Sequence, residues 1–298
     1  MNQSLKDWQR ENHKAILQRL GWLHNKPDGI VIHHETDDEE LIIVKKADFI
    51  FLHFIGKDEK SGKDCISDVM SLINISQPLT LYSHYTQAML MVLAFVPQPR
   101  RLYMLGFGGG RIPMVLHHYL PELQIEASEI SAGVIALLEM CFGIKTCKRM
   151  NVEKADGKQH LQSFPLNHFD IILLDSFAGA GDHPDELSTL EFYQLCKSRL
   201  STGGVIATNL VDNNSRFKQK AETFCAAFKY VYHFSYEENH IYLGADKYNI
   251  NNNQLVSMAK QVDSTCQFNF KLSKYAARFQ HQYCDNQNNL LTDNLLTT

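Results

Sequence analysis

The sequence feature that most restricts the possible folds is a glycine-rich stretch directly after a short apolar run. Residues 102–105 are apolar or aromatic, a pattern that predicts a buried parallel strand. Gly106, Gly108 and Gly110 follow in a G-x-G-x-G pattern, and Pro113 stands where proline is favoured, in the first turn of a helix. A strand, a glycine loop and a helix in this order bring backbone N–H groups close to a ligand. The stretch therefore predicts an α/β fold with a ligand at this loop.

The spacing of the glycines excludes two common phosphate-binding loops. The dinucleotide fingerprint G-x-G-x-x-G requires glycine or alanine where this chain has Arg111. A P-loop requires Gly-Lys followed by serine or threonine, and the sequence contains no such triplet. A glycine-rich turn without a ligand stays an alternative for the loop taken alone.

Composition and length indicate an ordinary globular protein with one large domain, or with a large and a small one. The chain has 298 residues, of which 44% are hydrophobic and 21% are charged. The formal net charge of −4 argues against nucleic-acid binding through a basic face. The seven cysteines include no C-x-x-C pair, and the N-terminus lacks the apolar segment of a signal peptide. We therefore expect a cytoplasmic protein without a membrane partner.

The spacing of apolar residues changes along the chain and divides it into three parts. Residues 4–23 have helical spacing, whereas residues 29–75 contain four apolar runs separated by polar, turn-forming stretches. We therefore predict an N-terminal helix and a small antiparallel β domain over residues 1–82. The main α/β domain is assigned to residues 83–275, and residues 276–298 are expected to form a frayed tail.

Within the main domain, strand-like and helix-like patterns alternate, which predicts a mostly parallel sheet with helices on both faces. The first strand precedes the glycine loop, and a hairpin near the end of the domain supplies the last two. The predicted strands are 102–105, 124–130, 148–152, 169–175, 203–209, 230–236 and 240–244. The fold class is thus α/β with a seven-stranded sheet.

Three acids stand at the predicted carboxyl ends of strands, where parallel sheets bind their ligands. Glu129 ends the second strand, and a carboxylate there can accept both hydroxyls of a ribose. Asp156 follows the third strand and precedes Gly157, so an Asp-Gly turn explains it as well as ligand binding does. Asp175 ends the apolar fourth strand, where an acid is costly without a partner or a function. A solvated acid stays an alternative for Glu129.

The order of these motifs resembles the spermidine synthase family, the polyamine-synthase domain, over roughly residues 66–245. That family has a small N-terminal β domain before a Rossmann-like methyltransferase fold, so the resemblance implies a Rossmann-like nucleoside-binding catalytic domain over residues 83–275. The G-x-G-x-G loop itself is similar to the S-adenosylmethionine loop of the Rossmann-like methyltransferases. The family segments G-G-G-D-G, V-E-I-D, G-D-G and D-S-S-D-P match residues 106–110, 128–131, 155–157 and 175–179.

The resemblance implies a role for each matched residue. Glu129 inherits the binding of the ribose, Asp156 the binding of adenine, and Asp175 the catalytic role. Gly106, Gly108, Gly110 and Gly157 complete the implied cofactor site. The family's S-Y-H-E segment matches residues 84–87, so Tyr85 and Gln87, together with Ser176, are the implied substrate-binding residues.

Two positions depart from the family pattern. Gly109 replaces the acid of the glycine loop, which in the family holds the cation of the aminopropyl arm. Ala178 replaces the second acid of D-S-S-D, which helps to bind the acceptor amine. Both changes remove negative charge from a pocket for cations. Asp182, Asp185 or Glu186 in the following loop are candidate replacements, and a solvated loop is the alternative.

The activity implied by the resemblance is transfer of the aminopropyl group of decarboxylated S-adenosylmethionine to a small-molecule amine. With S-adenosylmethionine itself as co-substrate, the same geometry transfers a methyl group, so a small-molecule methyltransferase is one alternative. A non-catalytic nucleoside-binding relative is another. We expect a homodimer that binds no nucleic acid, and the sequence has no metal-ligand spacing that predicts a metal.

Overall fold

The computed structural model describes residues 3–57, 64–177, 183–212, 215–282 and 290–296, and these form two β-sheets. The N-terminal sheet is antiparallel, as the sequence predicts. Its strands are β1 (Gly29–Glu35), β2 (Glu40–Lys46), β3 (Phe49–Lys57), β4 (Asp64–Ile66) and β5 (Ser71–Asn74). They stand in the order β1-β2-β3-β4, and β5 also pairs with β3. The small N-terminal β domain is therefore confirmed.

Helix α1 (Gln3–His24) packs against the main domain. Its buried face carries Ile16, Leu20 and Leu23. Two of its polar side chains also bind the main domain, since Arg19 Nε donates to the carbonyl of Gly143 at 2.9 Å and Trp22 Nε1 to that of Met140 at 2.9 Å. The helix that we assigned to the first domain thus contributes to the core of the second.

The main domain alternates strands and helices, as expected from the sequence. After α2 (His84–Met89) and α3 (Val92–Phe95) come β6 (Arg101–Leu105), α4 (Arg111–Tyr119), β7 (Gln124–Glu129), α5 (Ala132–Phe142), β8 (Met150–Lys154), α6 (Gly157–Ser163) and β9 (Phe169–Leu174). A 3-10 turn (Asp185–Leu187), α7 (Leu190–Arg199), β10 (Leu200–Val211), α8 (Phe217–Ala227), β11 (Tyr230–Tyr236) and β12 (Asn239–Ala245) follow, and then α9 (Asn252–Cys266), α10 (Leu272–Ala276), β13 (Gln280–Gln282) and α11 (Asp293–Leu296).

The large sheet has the strand order β13-β11-β12-β10-β9-β6-β7-β8. The five strands from β10 to β8 pair in parallel, and β12, β11 and β13 are antiparallel. The chain order reverses at β6, which has β7 on one side and β9 on the other. Such a reversal opens a crevice at the carboxyl ends of the strands. Strands β6 and β9 are buried on both faces, which explains their continuous apolar sequences.

The large sheet has eight strands in the described part of the chain, one more than the sequence predicts. The extra strand, β13, pairs with β11 inside the segment that we expected to be frayed. Further along, Leu291 is buried, accepts a hydrogen bond from the backbone of Leu190 and donates one to Thr223 Oγ1, both at 2.8 Å. The described residues of the expected tail, 276–282 and 290–296, therefore dock on the domain. Within the described ranges, no helix combines the length and the apolar character needed to cross a bilayer.

Candidate active site

A cavity of about 490 Å³ lies at the carboxyl ends of β6, β7 and β9. The glycine loop and the three acids predicted from the sequence, Glu129, Asp156 and Asp175, all line it. The wall from the N-terminal domain combines the apolar residues Leu52, Phe54, Ile55 and Met70 with the acids Asp38, Glu39 and Glu40. The structure thus brings the predicted acids together and adds a second wall, partly apolar and partly acidic, that strand-end reasoning does not predict.

The glycine loop approaches the cavity with its backbone. Gly106 has φ +82°, and a Cβ atom there would lie 2.4 Å from the backbone oxygen of Asp175. Glycine is therefore required at position 106 by both conformation and space. Gly108 also has a positive φ, of +50°, but a Cβ atom there would meet nothing within 4 Å. The loop at Gly108 is thus open, so a ligand can approach its backbone.

Glu129 is buried and holds the glycine loop. Its Oε2 accepts hydrogen bonds from the backbone N–H groups of Phe107 at 3.1 Å and Gly108 at 2.8 Å, and its Oε1 accepts from Ser131 N at 3.0 Å. This geometry excludes the solvated-acid alternative. A carboxylate has about four acceptor positions, so one position remains for a ligand hydroxyl.

Asp156 is exposed at the rim of the cavity and begins a helix. Its Oδ1 accepts a hydrogen bond from Gln159 N at 2.8 Å, which makes it the N-cap of α6. The Asp-Gly pair is therefore a helix start rather than an isolated turn. A Cβ atom on Gly157 would lie 2.3 Å from Leu105 Cγ, so only glycine lets α6 begin this close to β6.

Asp175 directly follows β9 at the carboxyl end of the strand and lines the cavity. Burial raises the pKa of Asp175 to about 6, and hydrogen bonds from Asn209 and Tyr85 act in the opposite direction. Burial, together with the adjacent carboxylate of Asp175, raises the pKa of Tyr85 well above its usual value. The Tyr85 hydroxyl therefore stays protonated and donates to a carboxylate that is mostly ionised at neutral pH.

Asn209 is a site residue that the sequence reasoning missed. It is fully buried at the carboxyl end of β10, and its Nδ2 donates to Asp175 Oδ1 at 3.2 Å and to Asn239 Oδ1 at 3.0 Å. Its own Oδ1 has no partner among the described residues. The signal was available, because Asn209 ends a predicted apolar strand just as Asp175 does.

The predicted substrate-binding residues separate into two groups. Tyr85 and Ser176 line the cavity. The described residues of its wall also include Thr86 but not Gln87. Gln87 instead accepts a hydrogen bond from Tyr275 Oη at 2.8 Å and donates to the carbonyl of Leu81, so it ties α2 to α10. Gln87 lies two residues after Tyr85 in α2, so its side chain points to a different side of that helix.

Gly109, the first departure from the family pattern, is tightly enclosed. A Cβ atom there would lie 2.3 Å from Ser71 Oγ and 2.6 Å from Phe142 Cε1. The space that an acid would need is therefore occupied by neighbouring side chains. The second departure, Ala178, and the candidate replacement Asp182 lie outside the described residues.

The two other candidate replacement acids differ in availability. Asp185 forms ion pairs with Lys220 at 2.9 Å and with Arg216 at 2.5 Å, so its charge is already compensated. Glu186 is exposed and lines the cavity. Glu186 is therefore the better placed of these two acids to meet a cationic group of the substrate.

Ile130 is a second residue that the sequence reasoning missed. It directly follows Glu129, lines the cavity and leaves 74% of its surface exposed. A large apolar side chain exposed beside a ligand cavity offers an apolar surface to a ligand ring. The sequence signal that could have identified Ile130 was its position at the end of the second predicted strand, next to Glu129.

One group of side chains in the described ranges has the spacing of a metal site. His33, Glu35 and Glu40 lie on the β1–β2 hairpin with their ligand atoms within 4.8 Å of one another. His33 Nε2 is 2.6 Å from Glu40 Oε1, and His33 and Glu35 are exposed. A surface hydrogen bond between His33 and Glu40 accounts for this arrangement, and exposed carboxylates commonly group without a metal.

These features define a class of protein. The strand order, the glycine loop and the strand-end carboxylate facing one cavity are those of the spermidine synthase and methyltransferase-like α/β fold. The model of the spermine/spermidine synthase domain matches residues 84–242, more than half of the chain. The chain therefore belongs to the spermine/spermidine synthase family, and the family resemblance found in the sequence is confirmed.

Individual relatives agree with this assignment. The polyamine aminopropyltransferase of Vibrio vulnificus strain CMCP6 is 27% identical over 207 residues, which are 68% of this chain and 67% of that relative. The eEF1A lysine and N-terminal methyltransferase of Mus musculus is 31% identical over 143 residues, 45% of this chain and 20% of that relative. The crystal structure of a probable spermidine synthase from Corynebacterium glutamicum ATCC 13032 shares the fold with a TM-score of 0.67 at 19% identity, covering 87% of this chain and 91% of that one. At the level of its family, the chain is a transferase.

Proposed function

We propose that the protein transfers the aminopropyl group of decarboxylated S-adenosylmethionine to the nitrogen of a small amine. One observation carries the proposal. The glycine loop and the catalytic candidate touch, because a Cβ atom on Gly106 would lie 2.4 Å from the backbone oxygen of Asp175. A nucleoside seated on the loop therefore has its sulfur next to the one acid that shares hydrogen bonds with Tyr85 and Asn209.

The nucleoside is assigned to the end of the cavity formed by β7 and β8. Glu129 has one acceptor position left for a ribose hydroxyl. Asp156, at the rim, is the candidate acceptor for the adenine amino group, and the exposed Ile130 offers an apolar face to the base. Gly108 leaves open space above the loop for the rest of the donor.

Asp175 supplies the base in the proposed reaction. The acceptor nitrogen must be neutral, and it attacks the carbon bonded to the sulfonium sulfur. The C–N bond forms as the C–S bond breaks, and sulfur keeps the electron pair as the thioether of methylthioadenosine. The proton passes from the new ammonium to Asp175, whose pKa of about 6 leaves it ionised at neutral pH. Tyr85 orients the carboxylate by its hydrogen bond.

The acceptor faces a wall that differs from the family pattern. The apolar residues Leu52, Phe54 and Met70 line the cavity, and Gly109 supplies no acid. A charged ammonium loses hydration against the apolar part of this wall, and the acid that the family places in the glycine loop is missing. We therefore propose slow turnover with putrescine, and the acids Asp38, Glu39 and Glu40 of the same wall are the groups left to meet a cationic end.

The direct test is an assay of the purified protein with both donors, S-adenosylmethionine and its decarboxylated form, against putrescine and other amines. The proposal expects aminopropyl products from the decarboxylated donor, with putrescine a poor acceptor. Fast spermidine formation would refute the expected impairment. Methyl transfer would support the methyltransferase alternative, which the similarity to the Mus musculus methyltransferase favours. Tight nucleoside binding without turnover would identify a non-catalytic relative.

The assembly, the location, the absence of a metal and the domain boundaries stay predictions. Light scattering of the purified protein tests the homodimer that the family resemblance implies. Fractionation of cells tests the cytoplasmic location, and metal analysis of the purified protein tests the expectation that no metal is bound. Limited proteolysis near residue 82 tests whether the N-terminal domain separates there, which the packing of α1 on the main domain opposes.

A further inference from the structure

Helix α2 brings Tyr85 to the cavity wall but has little internal support. It is six residues long, and within the part of the chain that the structure describes, Ser83 before it makes no side-chain capping hydrogen bond. The hydrogen bond from Gln87 N to the carbonyl of Ser83, which closes the first turn, is long at 3.4 Å. A helix this short is not stable by itself, so contacts from outside must fix the turn in which Tyr85 stands.

A directed chain of hydrogen bonds supplies one such contact. The carbonyl of Leu81 can only accept, so Gln87 presents Nε2 to it and has Oε1 left for the Tyr275 hydroxyl, 2.8 Å away. The single hydroxyl proton of Tyr275 therefore goes to Gln87. His84 Nδ1, which is 2.7 Å from the same hydroxyl oxygen, must then be a donor. Tyr275 thus holds α2 at residues on both sides of Tyr85.

Tyr275 is itself held in place by α9 and by the large sheet. It is buried in α10, and its ring packs edge-on against Phe234 with ring centroids 5.5 Å apart. The buried Asp263 of α9 binds the start of α10, since it accepts hydrogen bonds from Leu272 N at 2.7 Å and Ser273 N at 3.2 Å. Burial raises the pKa of the Tyr275 hydroxyl, so it keeps the proton that it donates. The contact with α2 therefore comes from a fixed support.

We propose that Tyr275 is a positioning residue, which fixes the first turn of α2 so that the Tyr85 hydroxyl stays within hydrogen-bond reach of Asp175. The supporting unit, α9 and α10, lies beyond residues 84–242, the range that the family model matches, so the site depends on a segment outside that range. The inference rests on the proposed function only where that function makes Asp175 the base. Loss of the Tyr275 hydroxyl should act on Asp175 through Tyr85 and not directly.

The test follows the titration of Asp175 by carbon-13 NMR of protein labelled at the aspartate carboxyl groups, and the loss of one signal in Asp175→Asn identifies its resonance. Besides burial, hydrogen bonds from Asn209 and Tyr85 act on the pKa of Asp175, and both favour the ionised form. Tyr85→Phe should raise the midpoint by about 1 pH unit, and Tyr275→Phe should raise it by about half a pH unit. The double variant should titrate like Tyr85→Phe alone, because Tyr275 acts only through Tyr85.

The matched control is Tyr119→Phe, which removes the hydroxyl of a ring packed against Phe268 between α9 and α10 and should leave the midpoint unchanged. An unchanged midpoint in Tyr275→Phe, or a double variant shifted beyond Tyr85→Phe, would overturn the proposal. In turnover assays, Tyr275→Phe should lose more activity at pH 6 than at pH 8, because Asp175 is then less ionised at the lower pH. The titration needs no turnover, so it decides the positioning role even if neither donor reacts and the proposed function fails.

Discussion

The two ends of the cavity are built in different ways. At the end proposed for the nucleoside, Glu129 binds the backbone of Phe107 and Gly108, which lie one βα unit earlier in the chain. At the end proposed for the amine, Asp175 meets Tyr85 and Asn209, which come from a helix and a strand far apart in sequence. One end is made mostly of backbone and neighbouring segments, and the other is assembled by tertiary packing.

The two departures from the family pattern are Gly109, inside the glycine loop, and Ala178, shortly after Asp175 in the sequence. The end proposed for the nucleoside uses glycines and backbone N–H groups, and it keeps Gly106, Gly108 and Gly110 of the family motif but not its acid. The amine end depends on side chains that face an open cavity, so each can change without disturbing the main chain. In the glycine loop, by contrast, Gly109 has no such freedom, because Phe142 and Ser71 occupy the space that a side chain would need.

The largest expected effect is a loss of turnover without a loss of nucleoside affinity, which would show that the two ends of the cavity act separately. Asp175→Asn removes the base and keeps the shape, so turnover should fall by roughly 10²-fold or more while affinity for methylthioadenosine stays the same. Steady-state rates with the preferred donor, together with calorimetry, measure both quantities. Normal turnover in this variant would remove Asp175 from the mechanism for either donor.

The second effect concerns the glycine loop, because Gly106 of this loop lies against the backbone of Asp175 and so joins the two ends of the cavity. Gly106→Ala places a Cβ atom against the backbone of Asp175 at a positive φ, so we expect a loss of about 3 kcal/mol in stability and much weaker nucleoside binding. Gly108→Ala is the matched control, since it has space and should cost about 1 kcal/mol. Thermal unfolding of both variants ranks them. Equal losses would show that crowding at Asp175 is unimportant.

The third effect tests the nucleoside end alone. Glu129→Ala removes three backbone hydrogen bonds and the proposed ribose contact, so methylthioadenosine should bind about 2 kcal/mol or more weakly. Glu129→Gln, which keeps the shape but only part of the acceptor capacity, should lie between this variant and the wild type. An unchanged affinity in Glu129→Ala would place the ligand elsewhere.

The smallest expected effect is a shift in the pH dependence of activity, and it concerns the contact between Asn209 and Asp175. The proposed reaction needs ionised Asp175, so activity should rise with pH through about 6. The hydrogen bond from Asn209 favours the ionised form, and its loss in Asn209→Ala should move this rise to higher pH by about half a pH unit. Thr208→Val, on the opposite face of β10, should leave the profile in place. A profile that does not move would show that Asn209 has no influence on Asp175.

Much of the fold was predictable because its signals are local. Apolar runs separated by turn-forming stretches predicted the N-terminal sheet, and alternating strand-like and helix-like patterns predicted the large one. The frayed tail was predicted from its asparagine-rich composition, but β13 pairs with β11 and Leu291 is buried near α7 and α8. A three-residue strand has too few residues to show a period, so only its partner reveals it.

The sequence by itself determined the strand–glycine–helix unit, the α/β class and the three acids at strand ends, because these depend on conformational limits and on burial within short segments. Only the tertiary structure decided which side chains face one another. It turned Gln87 toward Tyr275, placed Asn209 on Asp175 and left Arg111 Nε buried without a hydrogen-bond partner among the described residues. These are contacts between distant segments, and their energies depend on distances and on burial that no local pattern specifies.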